Sequence, residues 1–359
     1  MSTIKYVVLS PVRNEAEYLP ETIRCMAAQA ARPTEWILVN DGSTDATGSI
    51  IDAAAAQHAW IKPIHRRDRG FRQAGGGVME AFYDGYAKLS TLTQPATPPI
   101  QHSSTPPLRD SPTPLPDNPQ PSTTIPQPTA WSFLVKLDGD LSFSADYFQE
   151  CLDRFAADPK LGIGGGTICN QVNGALEVES KIDPAFHVRG ATKIYRRACW
   201  EQIGGLIRAP GWDTVDEVKA NMLGWSTRTF PELKLVHHRP AGQAYGQLSN
   251  LLKNGRANYV AGYHPLFMLL KCLRRLFEKP YLVEGCGLWV GFVGAYLKRV
   301  PRVADKAVIK YFRRQQMNRL FGRQSLWTPA AQPESWAGST ESAGEVKLRT
   351  NRKHEKSVI

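Results

Sequence analysis

The chain has no cysteine pair at C-x-x-C spacing. Its six cysteines, at positions 25, 151, 169, 199, 272 and 286, are scattered. That favours reduced thiols in the cytoplasm over a disulfide framework or a zinc site. No apolar stretch in the opening "MSTIKYVVLSPVRNE" is long enough for a secretion signal. No Gly-Lys-Ser/Thr ends the glycine-rich "RDRGFRQAGGG", so it is not a Walker A loop. No G-x-G-x-x-G follows the first apolar run, which excludes a Rossmann fingerprint. Acids are scarce, 33 Asp and Glu against 44 Lys and Arg, for a net charge of +11. Helix-turn-helix, zinc-finger and RNP-like patterns are all missing. The basic excess is therefore read as directed at anionic lipid or an acidic substrate, with no nucleic-acid partner.

What is present suits a globular chain: 359 residues, 42% apolar and 21% charged. "KYVVLSPV" (5–12) reads as a buried strand, and "AEYLPETIRCMAAQ" (16–29) as a helix with Leu19, Ile23 and Met26 on one face. "EWILVNDGSTDAT" repeats the theme, "WIKPIHR" is a third strand, and residues 75–89 form a helix. This alternation predicts an α/β fold, a mostly parallel sheet flanked by helices. Residues 91–130 hold twelve of the 26 prolines and few large apolar side chains, so they read as a disordered insertion. The alternation resumes beyond it. The expected boundaries are a domain over 1–240, a basic, apolar helical region over 241–323 and a polar, disordered tail over 324–359.

Charge collects where strands should end. "LVKLDGDLSF" closes an apolar run with Asp138 and Asp140. Two like charges so close repel unless a cation or water separates them, and carboxylates are hard ligands for Mg or Mn. Gly139 is read as leaving room for that cation. "GWDTVDEVKANMLGW" places Asp213, Asp216 and Glu217 at the start of a helix, at spacing that lets them share a face.

Four segments, "SPVRNEAEYL", "ILVNDGSTDAT", "VKLDGDLSF" and "GWDTVDEVKANMLGW", stand in the order found in inverting family 2 glycosyltransferases of the GT-A fold, which this chain resembles over residues 4–240 outside the insertion. The resemblance implies that Pro11, Arg13, Asn14 and Glu15 contact the nucleotide of a sugar donor. Asn40 and Asp41 would reach its base, although Asn40 replaces the commoner aspartate. Asp138 and Asp140 would hold a divalent cation, Mg or Mn, and the donor diphosphate. The catalytic base falls on Asp213, eleven residues before Gly224, with Asp216 as the rival and Glu217 beside it. Trp212 stands where the family usually has a glutamate. Arg72 and Arg239 are candidate diphosphate contacts. The implied activity is metal-dependent transfer of a sugar to a hydroxyl of a glycan or lipid-linked acceptor, in cell-surface polysaccharide synthesis. The alternatives are a sugar nucleotidyltransferase and a noncatalytic sugar-nucleotide or glycan-binding module.

Between Leu266 and Arg323 lie thirteen Lys or Arg residues against three acids. Within this region "KPYLVEGCGLWVGFVGAYLKR" (279–299) is marginal for a spanning helix and carries Glu284. Its glycines and Trp289 point to an interfacial helix that meets an anionic membrane peripherally, at the inner face of the cell membrane. A core helix hairpin is the alternative for 281–297.

Overall fold

Strict alternation builds the sheet. In β1 (Tyr6–Val12), Tyr6 and Val8 enter one core layer, and Val7 and Leu9 enter the other. β2 (Glu35–Asn40) splits the same way, with Trp36 and Leu38 on one face and Ile37 and Val39 on the opposite face. Both faces are thus apolar, so helices must cover both. α1 (Leu19–Ala27), α2 (Thr47–Gln57) and α4 (Tyr147–Ala157) supply one cover. α3 (Gly76–Lys88) and α5 (Arg197–Ile203) supply the other. Each fully buried Leu or Phe contributes about 1.5–3 kcal/mol by leaving water, so these layers carry most of the stability.

The computed structural model describes residues 5–70, 76–89, 131–180, 182–239, 246–277 and 282–328. The proline-rich segment 91–130 and Arg72 lie outside the described residues. The remaining strands are β3 (Ile61–His65), β4 (Phe133–Leu137), β5 (Leu141–Ser142), β6 (Leu161–Val172), β7 (Ala175–Val178), β8 (Thr192–Arg196) and β9 (Ser226–His237). Their order is β3-β2-β1-β4-β8-β6-β9-β5, with β7 paired to β6. From β3 to β4 the strands run parallel, as the alternation predicts. β8 then pairs antiparallel with both β4 and β6, and β6 runs parallel to β9. The sheet is mixed, of the GT-A type. Its mixed half follows from β8 being fed by an irregular segment rather than by a crossover helix.

α6 (Trp212–Met222) leads into β9. Four more helices follow: α7 (Gln247–Val260), α8 (Pro265–Arg275), α9 (Val283–Leu297) and α10 (Lys306–Leu320). α10 docks on α6 through a cluster of Val215, Val218, Val308 and Phe312. Lys219 on α6 and Asp305 at the start of α10 add an ion pair at 3.6 Å. The helical region is thereby packed onto the α/β domain. Trp327 stacks on Phe312, their centroids 6.2 Å apart, so packed chain extends past 324, where the tail was expected to begin.

α9 is a packed helix. Leu288, Phe292 and Ala295 are buried, and Trp289 stacks against Phe292. A Cβ on Gly255 of α7 would overlap the Leu288 carbonyl, and one on Gly291 would overlap the Leu252 carbonyl. The glycines therefore serve a close α7–α9 crossing. Glu284 is neutralised by an ion pair with Arg275. No helix among the described residues is long and apolar enough to cross a membrane. Of the two readings of 281–297, the core helix is the one the packing supports.

Candidate active site

The ends of β1 and β2 form a loop pair held by side chains. Asn14 takes a positive φ of 53°. Its backbone N–H donates to Ser43 Oγ at 3.0 Å, and its Oδ1 accepts from the Thr44 N–H at 2.9 Å. Arg13 donates to the Asp41 carbonyl at 2.8 Å and to the Asp68 carboxylate at 2.6 Å. Pro11 lies in β1 opposite Val39. Asn40 is occupied at both polar atoms: Oδ1 accepts from the Ser43 N–H at 2.9 Å, and Nδ2 meets His65 Nδ1 at 3.1 Å. Asn40 therefore braces its turn, and each atom keeps a second lone pair or N–H for the contact to the donor base that the resemblance implies. Asp41 is also engaged, by Arg66 and Arg69 at 2.5 Å each. Neither arginine was singled out by sequence, because their partner lies more than twenty residues earlier in the chain.

A second group gathers at the end of β4. Lys136 is buried and contacts the Asp138 carboxylate, which is 32% exposed. Partial burial and the Asp140 charge push the Asp138 carboxyl up against the pull of Lys136. Asp140 is buried, and β5 pairs Leu141 with His237, bringing that ring within 3.4 Å of the Asp140 carboxylate. Burial opposes the charge on Asp140, yet His237 and Arg239 hold its carboxyl below the usual range. Burial likewise opposes a charged His237, but Asp140 and Glu179 push it up to about 10. Arg239 pairs with Glu15 and has its Nε 3.9 Å from Asp140, tying the β1 end to the β4 end. Gly139 has a packing reason: a Cβ there would come within 2.6 Å of Val12 Cγ1. That replaces the expectation that it cleared space for a cation.

These residues pass one test for a cation and leave another open. Asp140 Oδ1 is buried and has no hydrogen-bond partner among the described residues, an arrangement that calls for a ligand. The donor set is hard oxygen, as Mg or Mn requires. No group of three or more His, Cys, Asp or Glu side chains able to hold a metal exists among the described residues. The fit is therefore to a cation that keeps water or substrate oxygens in its shell.

The third group lies at α6. Its carboxylates lie on the side of the helix that faces Lys193 but differ in burial and pairing. Asp216 accepts from Lys193 at 2.9 Å and from the Tyr195 hydroxyl at 2.6 Å. Glu217 accepts from the Val188 N–H at 2.7 Å and meets His187 at 2.8 Å and Lys193 at 2.7 Å. Both acids are buried. Desolvation, with Glu217 adjacent, pushes Asp216 up to about 6. Asp213, in the first turn of α6, is half-buried, and its carboxylate has no hydrogen-bond or ion partner among the described residues. A Cβ on Gly190 would lie 3.0 Å from the Trp212 ring and 3.5 Å from Asp213 Cβ. The next residue, Ala191, accepts a hydrogen bond from the Asp138 N–H at 2.9 Å. Trp212 carries the ammonium groups of Lys136 and Lys193 at 5.5 Å from its ring. Asp213 and Asp138 thus flank one short stretch of chain.

Residues 7–81 match the family model described as glycosyl transferase family 2. Glycosyltransferase GlyG of Streptococcus pneumoniae serotype 4 is 36% identical over 63 residues, 18% of this chain and 21% of that protein. In fold the chain is similar to GalNAc-T7, solved with UDP, GalNAc and Mn2+: TM-score 0.52, 10% identity, 90% of this chain and 55% of the other. The mannosyltransferase PcManGT of Pyrobaculum calidifontis, solved with GDP-Man and Mn2+, aligns at TM-score 0.45 and 17% identity over 89% of this chain and 76% of its own. The matched stretch spans about a fifth of GlyG, and the chain about half of GalNAc-T7.

Proposed function

We propose that this chain, matching glycosyl transferase family 2 over residues 7–81, is an inverting glycosyltransferase. It moves a sugar from a nucleotide-diphosphate donor to a hydroxyl of a glycan or lipid-linked acceptor, in cell-surface polysaccharide synthesis at the inner face of the membrane. The observation that carries this reading is the sorting of carboxylates in α6. Asp216 and Glu217 are buried and paired, while the half-buried Asp213 carboxylate makes no hydrogen bond or close ion pair among the described residues and lies beside the segment that holds Asp138.

In this reading the donor nucleotide lies along the β1 and β2 ends, over Pro11, Arg13, Asn14, Glu15 and Asp41. Arg239 offers its guanidinium to the diphosphate from beside Asp140. Asp138 and Asp140 hold Mg or Mn, which when bound supplies Lewis-acid neutralisation of the departing diphosphate. Asp213 accepts the proton of the acceptor hydroxyl as that oxygen bonds to the anomeric carbon. The bond to the diphosphate breaks on the opposite face of the sugar, which inverts the centre. Asp216 and Glu217 are positioning residues: through Lys193, which also donates to the Asp213 carbonyl at 2.5 Å, they fix the first turn of α6. Release of nucleotide from UDP-, GDP- and dTDP-sugars, with and without divalent cation, tests the assignment. A protein that binds a donor and never releases nucleotide is a binding module.

A further inference from the structure

α8 is apolar on its outward face as well as on its buried one. Along Pro265–Arg275 and the turn beyond it, Leu266 (44% exposed), Leu269 (37%), Leu270 (42%), Leu273 (45%) and Phe277 (81%) point to solvent. Their spacing of three and four residues makes one continuous stripe. The inner face seats Met268 and Cys272 in the core, flanked by Lys271, 4.9 Å from the Tyr263 ring, and by Arg275, paired with Glu284. The turn into α9 extends the stripe with Leu282 and Val283, 61% and 43% exposed. The Leu282 N–H donates to the Leu276 carbonyl at 3.0 Å, which keeps Leu282 next to the end of α8. Soluble surfaces rarely leave so many large apolar side chains contiguous.

We infer that α8 and the turn following it are the element by which this protein lies on an anionic bilayer surface, the apolar stripe entering the acyl boundary. This inference deepens the membrane reading made above and rests on it, but moves the contact from Trp289, which stacks on Phe292, to α8. Charge chooses the bilayer over a second copy. The thirteen basic residues of 266–323 face three acids, and two of those acids are engaged, Glu284 by Arg275 and Asp305 as the cap of α10. Exposed Lys298, Arg299, Lys306 and Lys310 lie on or directly after the helices beyond α8. Two such surfaces repel each other, whereas anionic headgroups attract both. The apolar stripe adds a component that salt does not screen.

The test uses the full chain with vesicles of phosphatidylcholine, with and without phosphatidylglycerol. Co-sedimentation and amide hydrogen exchange are read together for wild type, a Leu270→Ser/Leu273→Ser/Phe277→Ser variant and a control, Leu223→Ser. The changed residues are exposed, and circular dichroism confirms the fold of each variant. Expected are binding to anionic vesicles by wild type and control, a loss of about tenfold or more in the triple variant, and exchange protection of 266–277 that increases beyond that of the folded helix only with anionic vesicles. Triple-variant binding equal to wild type overturns the α8 assignment while leaving the membrane reading intact. No wild-type binding to anionic vesicles overturns both. Protection of 266–277 that rises with protein concentration in the absence of vesicles also overturns the inference, because a second copy then covers the stripe.

Discussion

The Lys193 ammonium lies 2.9 Å from the Asp216 carboxylate with both side chains fully buried. The same ammonium takes Glu217 at 2.7 Å and the Asp213 carbonyl at 2.5 Å. One cation thus neutralises two buried acids and fixes the helix turn that presents a third. Burial works against the charge on Lys193, but the surrounding carboxylates hold its pKa above the ordinary range.

Replacing that cation leaves two carboxylates without it in a dry site. Lys193→Met is therefore expected to cost about 3–5 kcal/mol. Chemical denaturation of the variant measures this directly. A loss under about 1 kcal/mol would mean that Tyr195 and His187 suffice to neutralise the pair.

Stability is expected to fall as pH rises above about 6.5. Burial opposes a charged His187, but Glu217 at 2.8 Å raises its pKa. His237 is pushed up to about 10. A histidine raised above its unfolded value contributes stability that is complete below that value and lost as pH rises through the folded one. The melting temperature should therefore drop through the alkaline range, and His187→Gln should flatten part of the slope. A wild-type melting temperature that climbs above that pH would contradict the linkage.

Gly291→Val is expected to cost about 1–3 kcal/mol, because its side chain would meet the backbone of Leu252, which cannot rotate away. Val290→Ser, on the exposed side of the same helix, should be close to neutral. Equal melting temperatures for the two variants would show that α7 and α9 do not cross closely.

The parallel half of the fold was readable because its strands are apolar on both faces. The two-residue β5 and the four-residue β7 were not, since strands so short carry no period, and the side chains of β7 are exposed. Asp138 and Asp140 stood out as acids at the end of an apolar run, and Asp213 as an acid in the first turn of a helix, which the resemblance put in the place of the base. Separating Asp213 from Asp216 was not, because their roles are set by Lys193, about twenty residues away. A signal existed: Lys136 and Lys193 each interrupt an apolar strand, "VKL" and "TKI", and a lysine there needs an acid partner or a ring. The α8 stripe has visible helical spacing, but sequence cannot say which face a helix turns outward.

Asp140→Asn is expected to abolish Mn-dependent tightening of nucleotide binding while leaving the fold intact. The motive is the partnerless, buried Asp140 Oδ1. Titration calorimetry with UDP and GDP, with and without Mn, separates the effects. Unchanged Mn dependence in the variant would remove Asp140 from the ligand set.

The most direct measurement is nucleotide release from the sugar-nucleotide panel by wild type, Asp213→Asn and Asp216→Asn. The account predicts release that requires Mg or Mn and falls about 10²- to 10⁴-fold in Asp213→Asn, with donor affinity unchanged and the melting temperature near wild type. Asp216→Asn should lower the melting temperature and retain more activity than Asp213→Asn. Full release by Asp213→Asn, or wild-type release that persists in a chelator, would contradict the account.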